Sequence, residues 1–163
     1  MTNPSWREIK WAKVPAKPDG LWTVILEHIS GPRLLRISVK DKDKKKVDVA
    51  VKWHTTETED CGANGIARDT SSTTGTTGTA STLIMYAPYG ALVGKLGGST
   101  ADLPEGGSGG PYSGRKVFTA GTYCVVTLAA NEGGPLFLTM NDIPTSFDRH
   151  SGELTVLIEE APL

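Results

Sequence analysis

The feature that most constrains this chain is an alternation of apolar and polar residues with a period of two, broken at short intervals by Gly, Pro, Ser and Thr. Leu35, Ile37 and Val39 alternate with Arg36, Ser38 and Lys40. Val47, Val49, Val51 and Trp53 follow the same rule, as do Leu154, Val156 and Ile158. Such a period sends successive side chains to opposite faces of an extended strand. No stretch carries a convincing helical period. With 19 Gly and 10 Pro in 163 residues, the chain has the turn residues that many short strands need. The pattern predicts strands at 22–29, 35–39, 47–53, 83–86, 91–96, 116–119, 123–128, 136–140 and 153–159. About nine strands without helices point to an all-β protein, an antiparallel β-sandwich.

The length suits one domain. Residues 1–20 hold Pro4, Pro15 and Pro18 and close on Asp19-Gly20, which reads as an N-terminal arm or edge segment carrying Trp6 and Trp11. The sandwich domain is then expected over 21–163. The Lys40–Lys46 run mixes Asp with Lys and reads as the solvated tip of a hairpin between 35–39 and 47–53. Two polar loops interrupt the strand pattern, at 54–82 and at 97–114. The first contains a Ser/Thr/Gly tract of low complexity.

Charge and targeting exclude several classes. The formal charge is −1, so the chain lacks the basic excess a general nucleic-acid binder needs. No apolar run approaches the ~20 residues that span a bilayer, so membrane insertion is not expected. Residues 1–13 show no apolar signal region, which points to a cytoplasmic protein or to export without an N-terminal signal. Cys61 and Cys124 fit no zinc spacing, and leave a pair of reduced thiols or one disulfide.

Two enzyme readings fail on local chemistry. Gly106-Gly107-Ser108-Gly109-Gly110-Pro111 is similar to the nucleophile loop of trypsin-like proteases, but Gly107 replaces the aspartate, and neither His28 nor His54 lies in a base motif. As a Gly-x-Ser-x-Gly elbow it lacks a strand before and a helix after. Glu159 and Glu160 are adjacent on a strand and point to opposite faces, so they cannot flank one glycosidic bond. The chain is expected not to be an enzyme.

The segment Asn141–Gly152 joins two strong strands and is dense in oxygen: Asn141, Asp142, Thr145, Ser146, Asp148 and Ser151. Hard cations take about six to eight such ligands. The alternative is an Asx-rich turn whose side chains satisfy their own backbone.

Four stretches, in order, resemble the PA-I-type galactophilic lectins of bacteria. Gly90-Ala91-Leu92-Val93-Gly94-Lys95-Leu96-Gly97 is similar to one strand of that family. Gly134 to Asp142, ending in Met140-Asn141-Asp142, is similar to another, and Ser151-Gly152-Glu153-Leu154-Thr155-Val156 to the last; Trp22 and Trp53 fall at the family's spacing. The resemblance runs from about Leu21 to Glu159 and implies a galactose-binding, jelly-roll-like sandwich, calcium-dependent and homo-oligomeric, with glycans as partners. It implies that Asp142 touches calcium and sugar, that Ser146 donates a carbonyl, and that Thr56 supplies another. Arg149 and His150 stand where the family has amide or carboxylate ligands. Arginine cannot ligate a cation, and histidine is a poor calcium ligand. Asp148, one residue away, can compensate.

The resulting expectation is a lectin-like protein that recognises a sugar at the Asp142–His150 loop. Asp142, Asp148, Arg149 and His150 contact the ligand, and Thr56, Asp142, Ser146 and Asp148 form the calcium (Ca2+) set. Tyr86, Tyr89 or Phe147 supplies an aromatic face. Retained calcium, sugar binding without calcium, and a degenerate scaffold for oligomerisation or protein–protein contact remain the open alternatives.

Overall fold

The computed structural model describes residues 4–40, 53–54, 60–66, 82–103 and 115–163. In chain order the strands are β1 (Arg7–Pro15), β2 (Thr23–Ser30), β3 (Arg33–Val39), β4 (Trp53–His54), β5 (Asp60–Cys61), β6 (Asn64–Ile66), β7 (Tyr89–Leu96), β8 (Lys116–Thr119), β9 (Tyr123–Leu128), β10 (Gly133–Met140) and β11 (Glu153–Ala161). A 3-10 helix, Pro144–Arg149, lies between β10 and β11. The pairings are antiparallel throughout.

Two sheets form the sandwich. The first has the order β1-β11-β3-β9. The second has the order β2-β10-β7-β6, with β8 beside the far end of β7. Between them lies a continuous apolar core. Val14, Leu35, Ile37, Val126, Leu154, Val156 and Ile158 meet Ile25, Leu92, Leu136, Leu138 and Met140 there. The inward residues of β3 and β11 are the alternating ones of the sequence, because a period-two pattern delivers one face to the core. Gly94 permits the packing of β8: a Cβ at that position would lie 2.4 Å from the Phe118 ring.

The structure bears on three local expectations. Residues 7–15 form an integral edge strand, in register with β11 from Arg7↔Glu160 to Pro15↔Glu153 and with an irregularity between Glu8 and Lys10. β3, expected to be half of a hairpin with 47–53, has β11 on one side and β9 on the other along its length. Residues 41–52 lie outside the described residues; Trp53–His54 pairs with Asp60–Cys61. Leu83–Tyr86 is a turn and not a strand. Both cysteines are free thiols: Cys61 is buried, and burial pushes the partly buried Cys124 thiol up to about 11.

The second sheet is covered on its outer face too. Trp22, Leu83, Ala87, Val93, Phe137 and Phe147 make a separate apolar cluster there. Lys95 is fully buried beside it, with Nζ 4.9 Å from the Trp22 ring centre and 4.6 Å from that of Phe137. Its ammonium donates to Asp102 Oδ2 at 2.7 Å and to the Ser99 carbonyl at 2.5 Å. Burial alone would raise the Asp102 carboxyl. Hydrogen bonds from Lys95 and Ser99 outweigh that and lower it to about 2. This ion pair and the bond from Trp22 Nε1 to the Asp102 carbonyl (3.1 Å) hold the start of the loop after β7 against the sheet.

Candidate functional site

The segment from β10 to β11 passes from the second sheet to the first across one end of the sandwich. β10 delivers Asn141 and Asp142 in a fully buried position. Asn141 serves the backbone opposite. Its Nδ2 donates to the carbonyls of Ile84 (3.0 Å), Ala87 (3.0 Å) and Pro88 (3.2 Å), and its Oδ1 accepts the Ile84 N–H at 2.8 Å. One side chain therefore fixes the 82–88 turn, which explains why an apolar Leu-Ile-Met-Tyr run bends instead of extending. The Leu83 N–H also donates to the Asp142 carbonyl at 3.1 Å.

Asp142 is the hub. Oδ1 accepts the Ile143 N–H at 2.6 Å. Oδ2 accepts the Tyr89 hydroxyl at 3.0 Å and faces His150 Nε2 at 2.6 Å. The other ring nitrogen of His150, Nδ1, lies 2.8 Å from the Ala16 carbonyl. A carbonyl can only accept, so Nδ1 donates to Ala16. The side chains of Asp142 and His150 are 0% exposed. The adjoining Ala16 N–H donates to the Gly152 carbonyl at 2.9 Å, so the end of β1 is tied to the loop twice.

The 3-10 helix starts at Pro144, whose fixed φ suits a first helical turn. It buries Phe147, which packs against the His150 ring at 4.7 Å between centroids. The same turn leaves Asp148 and Arg149 exposed and Ser146 half-buried. Asp142 and His150 are thus brought together, but beneath the surface, while Asp148 and Arg149 stand on it. Thr56 lies outside the described residues. Among the aromatic candidates Phe147 is buried, Tyr89 is bonded to Asp142, and Tyr86 is 91% exposed at the tip of the pinned turn.

No group of three or more His, Cys, Asp or Glu side chains placed to hold a metal ion gathers among the described residues. The Asp142 side chain is instead engaged by the Tyr89 hydroxyl, the Ile143 N–H and the His150 ring. The sequence pattern pointed to Asn141, Asp142 and His150. It carried no signal for the Ala16 carbonyl, some hundred and thirty residues from His150 along the chain.

No protein-family model matches the chain, and no curated protein matches it significantly. Solved structures do: seven chains match. One is described as "EclA N-terminal domain; PllA-like lectin", with a TM-score of 0.55, 16% identity, and coverage of 94% of this chain and 97% of that one. No helix among the described residues is long and apolar enough to cross a membrane. The chain has an antiparallel β-sandwich fold shared with a PllA-like lectin domain, and the likeness spans nearly the whole of both.

Proposed function

We propose that this is a non-enzymatic, lectin-like carbohydrate-binding protein whose site is the outer surface of the Asp142–His150 loop and the neighbouring Tyr86 turn. The observation that carries it is a rigid base under exposed polar groups. Asn141 and Asp142 anchor both the turn that presents Tyr86 and the segment that presents Asp148 and Arg149. A carboxylate and a guanidinium supply acceptors and donors for sugar hydroxyls, and an exposed phenol ring accepts the apolar face of a pyranose. In this reading Asp142 and His150 position the surface and do not touch the ligand. The hydrogen-bonded state of Asp142 supports recognition without calcium, through side chains alone. A shallow site of this kind binds weakly, and a homo-oligomer would add avidity.

The burial of Asp142 and His150 also favours a second reading, in which the loop only braces a scaffold for protein contacts. A glycan array with the purified chain, run with calcium and with chelator, separates them. The expected result is binding that survives chelator and falls about tenfold in Arg149→Ala or Tyr86→Ala. Binding lost with chelator would restore the calcium site. Silence in both conditions, from protein shown to be folded, would favour the scaffold.

A further inference from the structure

Arg7, Arg33 and Glu160 meet at the other end of the first sheet. Arg7 lies on β1, Glu160 on β11 and Arg33 on β3, three neighbouring strands. Glu160 is seven residues along β11 from Glu153, roughly 23 Å from the sugar loop at about 3.3 Å per residue. Each guanidinium donates to one oxygen of Glu160: Arg7 Nη2 to Oε1, and Arg33 Nη1 to Oε2. Burial pushes the Glu160 carboxyl up, but the hydrogen bonds from Arg7 and Arg33 outweigh it and hold it below the ordinary carboxylate value.

The trio is over-supplied with donors. A guanidinium carries five N–H groups. Arg33 Nε is buried and has no hydrogen-bond partner among the described residues. The Arg7 side chain is 77% exposed. Two cations around one carboxylate leave a local charge of +1, in a chain whose overall charge is −1. The group lines two adjoining hollows. One, of about 480 Å³, is completed by Pro32 and Pro162. The other, of about 300 Å³, is completed by Leu26 and His28. Ligand pockets commonly occupy about 300–1,000 Å³ and combine apolar walls with a few polar groups.

We infer that the Arg7–Arg33–Glu160 hollow is a second binding site, for the carboxylate or sulfate ester of an acidic sugar. A single negative charge matches the +1 excess. A phosphomonoester, at about −1.5 to −2, exceeds it. The fork of an arginine presents paired donors to a carboxylate or sulfate. Pro32, Pro162 and Leu26 offer the sugar ring an apolar wall. The saccharide as carrier rests on the carbohydrate reading above; the charge chemistry stands on its own.

Calorimetric titration of the full chain with glucuronic acid, galactose 6-sulfate, neutral galactose and sodium sulfate tests this. The acidic sugars should bind, galactose should not bind here, and sulfate alone should bind more weakly than its sugar ester. Arg7→Ala should weaken the acidic sugars at least tenfold. Arg7→Lys, which retains the charge and the link to Glu160, guards against a folding defect and should keep part of the affinity. Failure of the acidic sugars to bind, affinity indifferent to Arg7→Ala, or sulfate binding as well as its sugar ester overturns the proposal. Loss of array binding in Arg149→Ala addresses the other loop alone, so the two readings fail separately.

Discussion

At the scale of single residues, the molecule depends on a few polar side chains that stand in for missing secondary structure. Asn141 is the clearest. It bonds three carbonyls and an amide of the 82–88 turn. Asn141→Ala leaves those groups to find other partners, and an expected loss of about 2–3 kcal/mol follows. Urea denaturation measures it, and a loss under about 1 kcal/mol would show that water replaces the side chain freely. Asp102 makes a pH-dependent contribution. Its folded value is lowered to about 2 from the ordinary 3.8, so its stabilising effect is complete above 3.8 and disappears as the pH falls through about 2. Asp102→Asn should therefore destabilise the protein near neutral pH, with the gap to the parent narrowing as the medium is acidified. A gap constant down to the lower value would mean that Lys95 does not select the ionised form. Arg36 offers a contrast. Its paired bonds to Glu159, both at 2.6 Å, raise the guanidinium further above its ordinary value, and it stays charged at any working pH.

At the scale of elements, the 3-10 helix and β1 carry the site between them. Phe147 is the one buried side chain of the helix and touches the His150 ring. Phe147→Ala removes an aromatic anchor from the outer cluster, and an expected cost of about 3–4 kcal/mol in thermal or chemical unfolding follows. Tyr86→Ala changes a residue that is 91% exposed, so stability should stay within about 0.5 kcal/mol while sugar binding weakens. The pair of variants separates support from contact. Ala16, the residue after β1, supplies the carbonyl that fixes the His150 ring, so the end of an edge strand far away in sequence sets the shape of the loop.

At the scale of the whole molecule, β1 also closes one side of the first sheet. It contributes Val14, which is fully buried, and covers the outer edge of β11. Deleting residues 1–15 strips that edge of its partner and opens the core. Exposed, unpaired strand edges recruit other chains. The shortened protein should aggregate or lose its cooperative unfolding, as seen by size-exclusion chromatography and thermal melting. A monomeric, cooperatively folded product would show that the strand is dispensable.

The alternation in 35–39 and 153–159 was enough to predict these strands and their core faces, because side-chain direction along a strand is a local property. The oxygen-rich stretch after Met140 likewise marked the loop, since Asn and Asp after a strand end a ladder by bonding nearby backbone. Partner choice was not local. The neighbours of β3 are β9 and β11, and neither is adjacent to it in the chain. The same holds for Leu83–Tyr86, apolar enough for a strand until Asn141 captured its backbone. The site followed this division. The oxygen-rich composition named Asp142 and Asp148, and the family resemblance added Arg149 and His150; the tertiary structure alone decided that Tyr89 and Ala16 would draw Asp142 and His150 into the interior and leave Asp148 and Arg149 facing solvent.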